Sequence, residues 1–156
     1  MDWIGICIIV LISVYVLMIP VGLLGFYILT RRYKKFYETT EEGKKLYCAL
    51  YTKDRLGSKH DWLVNQMREL RDKIDEFEFY FPEESSEKAF LNGMKIQYKE
   101  YSEELYRTKE AMADWGKRIE KIVAALPKKY NGILSYNWEN AKVKVEEESG
   151  YNRGSD

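Results

Sequence analysis

The chain has one histidine, two cysteines and three prolines in 156 residues, and each scarcity excludes something. With His60 alone, no multi-histidine metal centre can form, and neither HExxH nor a CxxC pair occurs. Cys7 lies inside an apolar run and Cys48 well beyond it, so a disulfide scaffold is excluded and a reducing compartment is permitted. GxGxxG, GxxxxGK[ST] and GxSxG are all missing. Neighbouring acids such as Glu103 and Glu104 fall where a solvated surface is expected. The expectation is a protein that is not an enzyme, with no cofactor, no metal and no small-molecule substrate. Basic and acidic residues number 25 each, so no overall nucleic-acid footprint is present and no nucleic-acid partner is expected.

Charge is also missing from one end. No Lys or Arg precedes Arg31, and Asp2 is the only acid before it. The 27 residues from Trp3 to Leu29 carry no charge. At about 1.5 Å rise each they span roughly 40 Å, more than the roughly 30 Å hydrocarbon layer. A cleaved signal would begin with basic residues and end in small ones. This segment begins Met1-Asp2 and runs straight into Arg31, which reads as a retained single-pass anchor. Trp3 at one end, with Tyr27 and Tyr33 at the other, suits the two membrane interfaces. Pro20, Gly22 and Gly25 mark a bend or a helix contact, or ordinary membrane-helix content.

Arg31, Arg32, Lys34 and Lys35 follow the apolar run directly. The positive-inside rule then places the C-terminal part in the cytoplasm and the N-terminus outside. The same cluster attracts anionic headgroups, making membrane lipid an expected partner.

The rest reads as all-α. From Met94, core-type positions recur at Tyr98, Tyr101, Leu105, Thr108, Met112, Trp115, Ile119, Ile122 and Leu126, in alternating steps of four and three. Before Pro82 the same rule gives Leu46, Ala49, Lys53, Leu56, His60, Leu63, Met67, Leu70, Ile74, Phe77 and Phe81. Thr39 and Glu42 have capping-box spacing, so a helix is expected to start near residue 40. Gly57-Ser58 is its weak point, where a break into two helices with Ser58 capping the second is the alternative, but the seam keeps phase across it, which favours a kinked continuous helix. Ser85 or Ser86 is the expected cap of the second helix. The short link between the helices predicts an antiparallel, coiled-coil-like hairpin whose paired residue numbers add to about 167, with Phe77 meeting Phe90. One buried stripe is thin for such a hairpin, so further burial in a homo-oligomer or against another protein is expected.

Candidate sites are few. Lys53, His60 and Asp114 form a possible polar layer in the seam, or simply reach water at a loose end. Glu76, Glu78, Glu83 and Glu84, with Phe79, Tyr80 and Phe81, form a possible partner-binding tip, or a merely soluble one. In the tail, Lys128 to Trp138 suit either the headgroup region or packing onto the hairpin. "AKVKVE" alternates like a short strand, and disorder is expected from Glu146. The domain reading is an anchor over 1–37, a hairpin over 38–126 and a tail over 127–156.

Function is thus expected to be non-enzymatic: an anchored interaction or assembly module holding a partner, or copies of itself, at the inner face of a membrane. Two alternatives keep the same helices. In outline the architecture is similar to the inner-membrane spanins of phages, a likeness that implies an envelope-spanning or lysis role with the coiled coil outside. The other alternative is a small accessory subunit acting through its transmembrane helix, with Ser13, Gly22 and Gly25 as contacts.

Overall fold

The computed structural model describes residues 3–80 and 85–145. Within them the chain is all-helical, with no strand. Three long helices, α1 (Trp3–Thr39), α2 (Glu41–Tyr80) and α3 (Ser85–Ala124), are followed by 3-10 turns at Lys128–Tyr130, Ile133–Ser135 and Trp138–Asn140. Packing divides the described residues into two compact units, one of residues 3–47 with 126–145 and the other of residues 48–125.

Helix α1 continues through Pro20 and past the basic cluster without a break. Its stretch Leu11–Thr39 is long and apolar enough to cross a membrane, and the side chains of residues 11–29 are exposed. Only Thr40 separates α1 from α2. Its N–H and its Oγ1 both donate to the Phe36 carbonyl (3.1 and 2.8 Å), which closes α1. Oγ1 also accepts the Gly43 N–H (3.0 Å), which caps α2. The cap is therefore Thr40 and not Thr39, whose hydroxyl instead donates to the Lys35 carbonyl within α1. This junction is tight. A Cβ on Gly43 would lie 2.1 Å from the Phe36 carbonyl oxygen, so only glycine admits the approach.

Helix α2 runs unbroken through Gly57-Ser58. Helices α2 and α3 form the antiparallel hairpin. Phe77 meets Phe90 (ring centroids 5.4 Å), Trp62 meets Tyr101 (5.8 Å), and Lys59 pairs with Glu104 (2.6 Å). Numbers rise on one helix as they fall on the other, the antiparallel direction expected; Phe77 and Phe90 keep the expected sum of 167, whereas the other two pairs add to 163, about one turn away. Among the described residues of 48–125, those buried are Ala49, Leu56, Leu63, Ile74, Met94, Thr108 and Ile119. All are seam positions at heptad spacing, and full burial of a leucine such as Leu63 contributes about 1.5–3 kcal/mol. Thr108 is the one polar member; its hydroxyl is satisfied by the Glu104 carbonyl one turn back (2.8 Å).

Candidate functional site: an aromatic unit and the hairpin surface

The first unit is built on a helical spacing. Tyr33, Phe36 and Tyr37 occupy one face of α1 just beyond the basic cluster, and Leu46 and Tyr47 follow on the first turns of α2. Residues 126–145 fold across this face. Tyr130 packs on Phe36 (centroids 4.2 Å), Tyr136 stacks on Tyr37 (5.8 Å) and meets Tyr33 edge-on (6.1 Å), and Trp138 meets Tyr47 edge-on (5.2 Å). Such ring pairs contribute about 0.5–1.5 kcal/mol each beyond their buried area.

Two hydrogen bonds pin the segment. The Tyr33 hydroxyl donates to the Asn131 carbonyl (2.6 Å), and the Lys142 N–H donates to Glu38 Oε1 (3.1 Å). Gly132, at φ +82°, makes the turn that lets Ile133 drop into the cluster, where it is fully buried. The Tyr37 hydroxyl is buried without a hydrogen-bond partner among the described residues. Burial, followed by the nearby Glu38 charge, raises the pKa of Tyr136 above the usual phenol value.

The structure thus moves several sequence-based expectations. Tyr33 is inside a protein cluster, because Asn131 and Tyr136 cover it. The tail aromatics pack on the end of α1 and the start of α2. "AKVKV" keeps its alternation, with Ala141 buried and Lys142 and Lys144 exposed, but forms no strand. Its Lys142 N–H is held by a carboxylate instead of a neighbouring strand. Residues 126–145 group with the apolar helix, so packing draws boundaries at 47/48 and 125/126 where composition suggested 37/38 and 126/127. The spacing 33, 36, 37 was a usable signal, since aromatic residues at i, i+3 and i+4 predict a covered face.

Of the basic cluster, Arg31, Arg32 and Lys35 are exposed, and Lys34 lies 3.9 Å from Glu38. The polar seam residues are not brought into one network. His60 Nδ1 contacts Asp61 Oδ1 (3.0 Å), Asp114 lies 3.9 Å from Lys117, and Lys53 is exposed alongside Gly116. A shallow groove of about 330 Å³ lies between the helices, lined by charges of both signs including Lys59, Glu104 and Arg107. Near the hairpin tip, Phe79 and Tyr80 are exposed and touch edge-on (5.1 Å), Glu76 is exposed, and Glu78 is bridged to Lys95. Phe81, Glu83 and Glu84 lie outside the described residues, as does the segment from Glu146. Among the described residues no group of three or more His, Cys, Asp or Glu is placed to hold a metal ion.

No protein-family model matches the chain, and neither a curated protein nor a solved structure significantly resembles it.

Proposed function

We propose that this chain is a single-pass membrane protein whose helical hairpin is a non-enzymatic interaction or assembly module, holding a protein partner or further copies of the chain at the inner face of a membrane. The observation that carries this reading is the hairpin's surface. One narrow seam is buried, while Trp62, Phe79, Tyr80, Phe90, Ile96 and Tyr106 are left largely exposed. Large apolar side chains at that density mark surfaces that become covered. Support for the anchor comes from the apolar length of α1, and for the orientation from Arg31, Arg32, Lys34 and Lys35 at one end of it.

The test uses the full chain in cells, with a photo-crosslinking residue replacing Trp62, Phe79 or Tyr106 in turn. Discrete adducts at one or more positions, of dimer mass or of a defined heteromer, are expected. A chain that gives no adduct at any position and is monomeric in mild detergent refutes the module. Orientation is tested separately, by a compartment-sensitive reporter fused behind residue 156. Activity on the inside is expected; activity outside would reverse the orientation and favour an envelope-spanning role.

A further inference from the structure

We propose that the aromatic unit is a binding surface for anionic phospholipid headgroups, built jointly by the end of α1 and the Lys128–Tyr130 turn in the leaflet from which α1 emerges at Arg31. The proposal rests on the membrane-anchor reading above.

The chain is neutral as a whole, but its fold sorts the charge. The described residues of the first unit hold ten basic residues against four acids, a net +6, whereas residues 48–125 hold fourteen against sixteen, a net −2. Half of that positive surplus is separated in sequence, because Lys128, Lys129, Lys142 and Lys144, against Glu139 alone, follow Arg31 and Arg32 only after the entire hairpin. The structure brings them together. Tyr130 lies on Phe36 and the Asn131 carbonyl on Tyr33, so the Lys128–Tyr130 turn sits beside the first two turns of α1 beyond the apolar run. Lys129 Nζ lies 5.0 Å over the Tyr130 ring, and Lys128, Lys129, Arg31, Arg32 and Lys35 are all exposed.

Distance decides whether these charges act on the bilayer. Phe36 is seven residues past Leu29, about 10 Å along the helix, which is about one Debye length at 0.1 M salt. The turn packed on Phe36 is therefore held within electrostatic reach of the headgroup layer. The acid closest to this patch, Glu38, is already occupied by the Lys142 N–H and by Lys34. The remaining acids of the unit, Glu41, Glu42 and Glu139, leave the surplus intact. The matching occupant is phosphate-bearing lipid because α1 delivers the patch to the layer where such lipid is concentrated.

The experiment reconstitutes the full chain into phosphatidylcholine vesicles containing traces of spin-labelled phosphatidylserine or spin-labelled phosphatidylcholine. The fraction of each label slowed by the protein is then measured. The chain should float with the vesicles and select phosphatidylserine by about threefold. This preference should vanish in about 1 M salt, where the Debye length is about 3 Å. Lys128→Gln/Lys129→Gln should cut it by about half, and Lys117→Gln/Lys121→Gln in α3 should leave it unchanged. Flotation without selectivity overturns the lipid surface alone, whereas failure to float overturns the anchor reading and this proposal with it. Unaltered selectivity in Lys128→Gln/Lys129→Gln overturns the joint surface, and so does an unselective chain that instead retains polyglutamate, which assigns the patch to an acidic protein.

Discussion

Replacing Gly43 by alanine sets two known effects against each other. In a helix the change ordinarily stabilises by about 1 kcal/mol. At Gly43 the added Cβ would fall 2.1 Å from the Phe36 carbonyl oxygen and 2.7 Å from both the Phe36 carbonyl carbon and Thr40 Oγ1. Relief requires a displacement of about 1 Å, and none of these atoms is the free end of a flexible side chain. Phe36 O accepts two hydrogen bonds from Thr40, and Thr40 Oγ1 caps α2, so moving any of them breaks the junction. Overpacking of this kind costs about 1–3 kcal/mol, and a backbone contact belongs at the upper end. The clash therefore wins, by about 2 kcal/mol net.

Hydrogen exchange of the full chain in detergent micelles reads this out locally. Gly43→Ala should speed exchange across residues 33–47 by about 30-fold. Gly57→Ala is the matched control, since nothing lies within 4 Å of a Cβ there. It should slow exchange around residue 57 by about fivefold. If Gly43→Ala instead protects residues 33–47, the tight α1–α2 junction is refuted.

Three further predictions bear on the same packing. Tyr37→Phe removes a buried hydroxyl that has no partner among the described residues and should raise stability by about 1 kcal/mol, while Tyr33→Phe loses the bond to Asn131 and should lower it by about 1 kcal/mol; near-ultraviolet circular dichroism during thermal unfolding of the full chain measures both. In the hairpin, Leu63→Ala should cost about 2–5 kcal/mol, whereas Thr108→Val should be neutral or slightly stabilising because the buried hydroxyl bonds only its own helix; urea melts followed at the helix band compare them. Tyr136 has its pKa raised in the fold, so its contribution is complete below the unfolded value of about 10 and is lost as pH rises through the folded one. The aromatic signal should therefore weaken above about pH 10 while Tyr136→Phe removes part of that dependence; a pH-insensitive signal would contradict the assignment.

The hairpin was legible in the sequence because its information is periodic and local. Ala49, Leu56 and Leu63 announce the seam seven residues apart, and the link between α2 and α3 is too short for anything but an antiparallel return. The aromatic unit was legible only on its α1 side, where the spacing 33, 36, 37 marks a covered face; what covers it was not, because the contacts join segments 98 and 104 residues apart, one of them without periodicity. Tyr33 looked like an interfacial ring only because its covering residues, Asn131 and Tyr136, lie on the far side of the hairpin in sequence. The charged surface was legible in part: an antiparallel hairpin returns Lys128 and Lys129 toward Arg31 to Lys35, and the contact of Tyr130 on Phe36 adds where on α1 they land. At the capping position the spacing to Glu42 pointed to Thr39, and the Gly43 N–H instead uses the hydroxyl of the adjacent Thr40.

The chain leaves the aromatic unit after Tyr47 and re-enters it at Leu126, so residues 48–125 are an insertion within the sequence of that unit. The hairpin seam repeats every seven residues, and seven residues of helix measure about 10 Å. Removing or adding one repeat in each arm keeps every seam residue in phase. Each arm of the hairpin can thus change by whole repeats of about 10 Å of helix without a change to any residue of the aromatic unit.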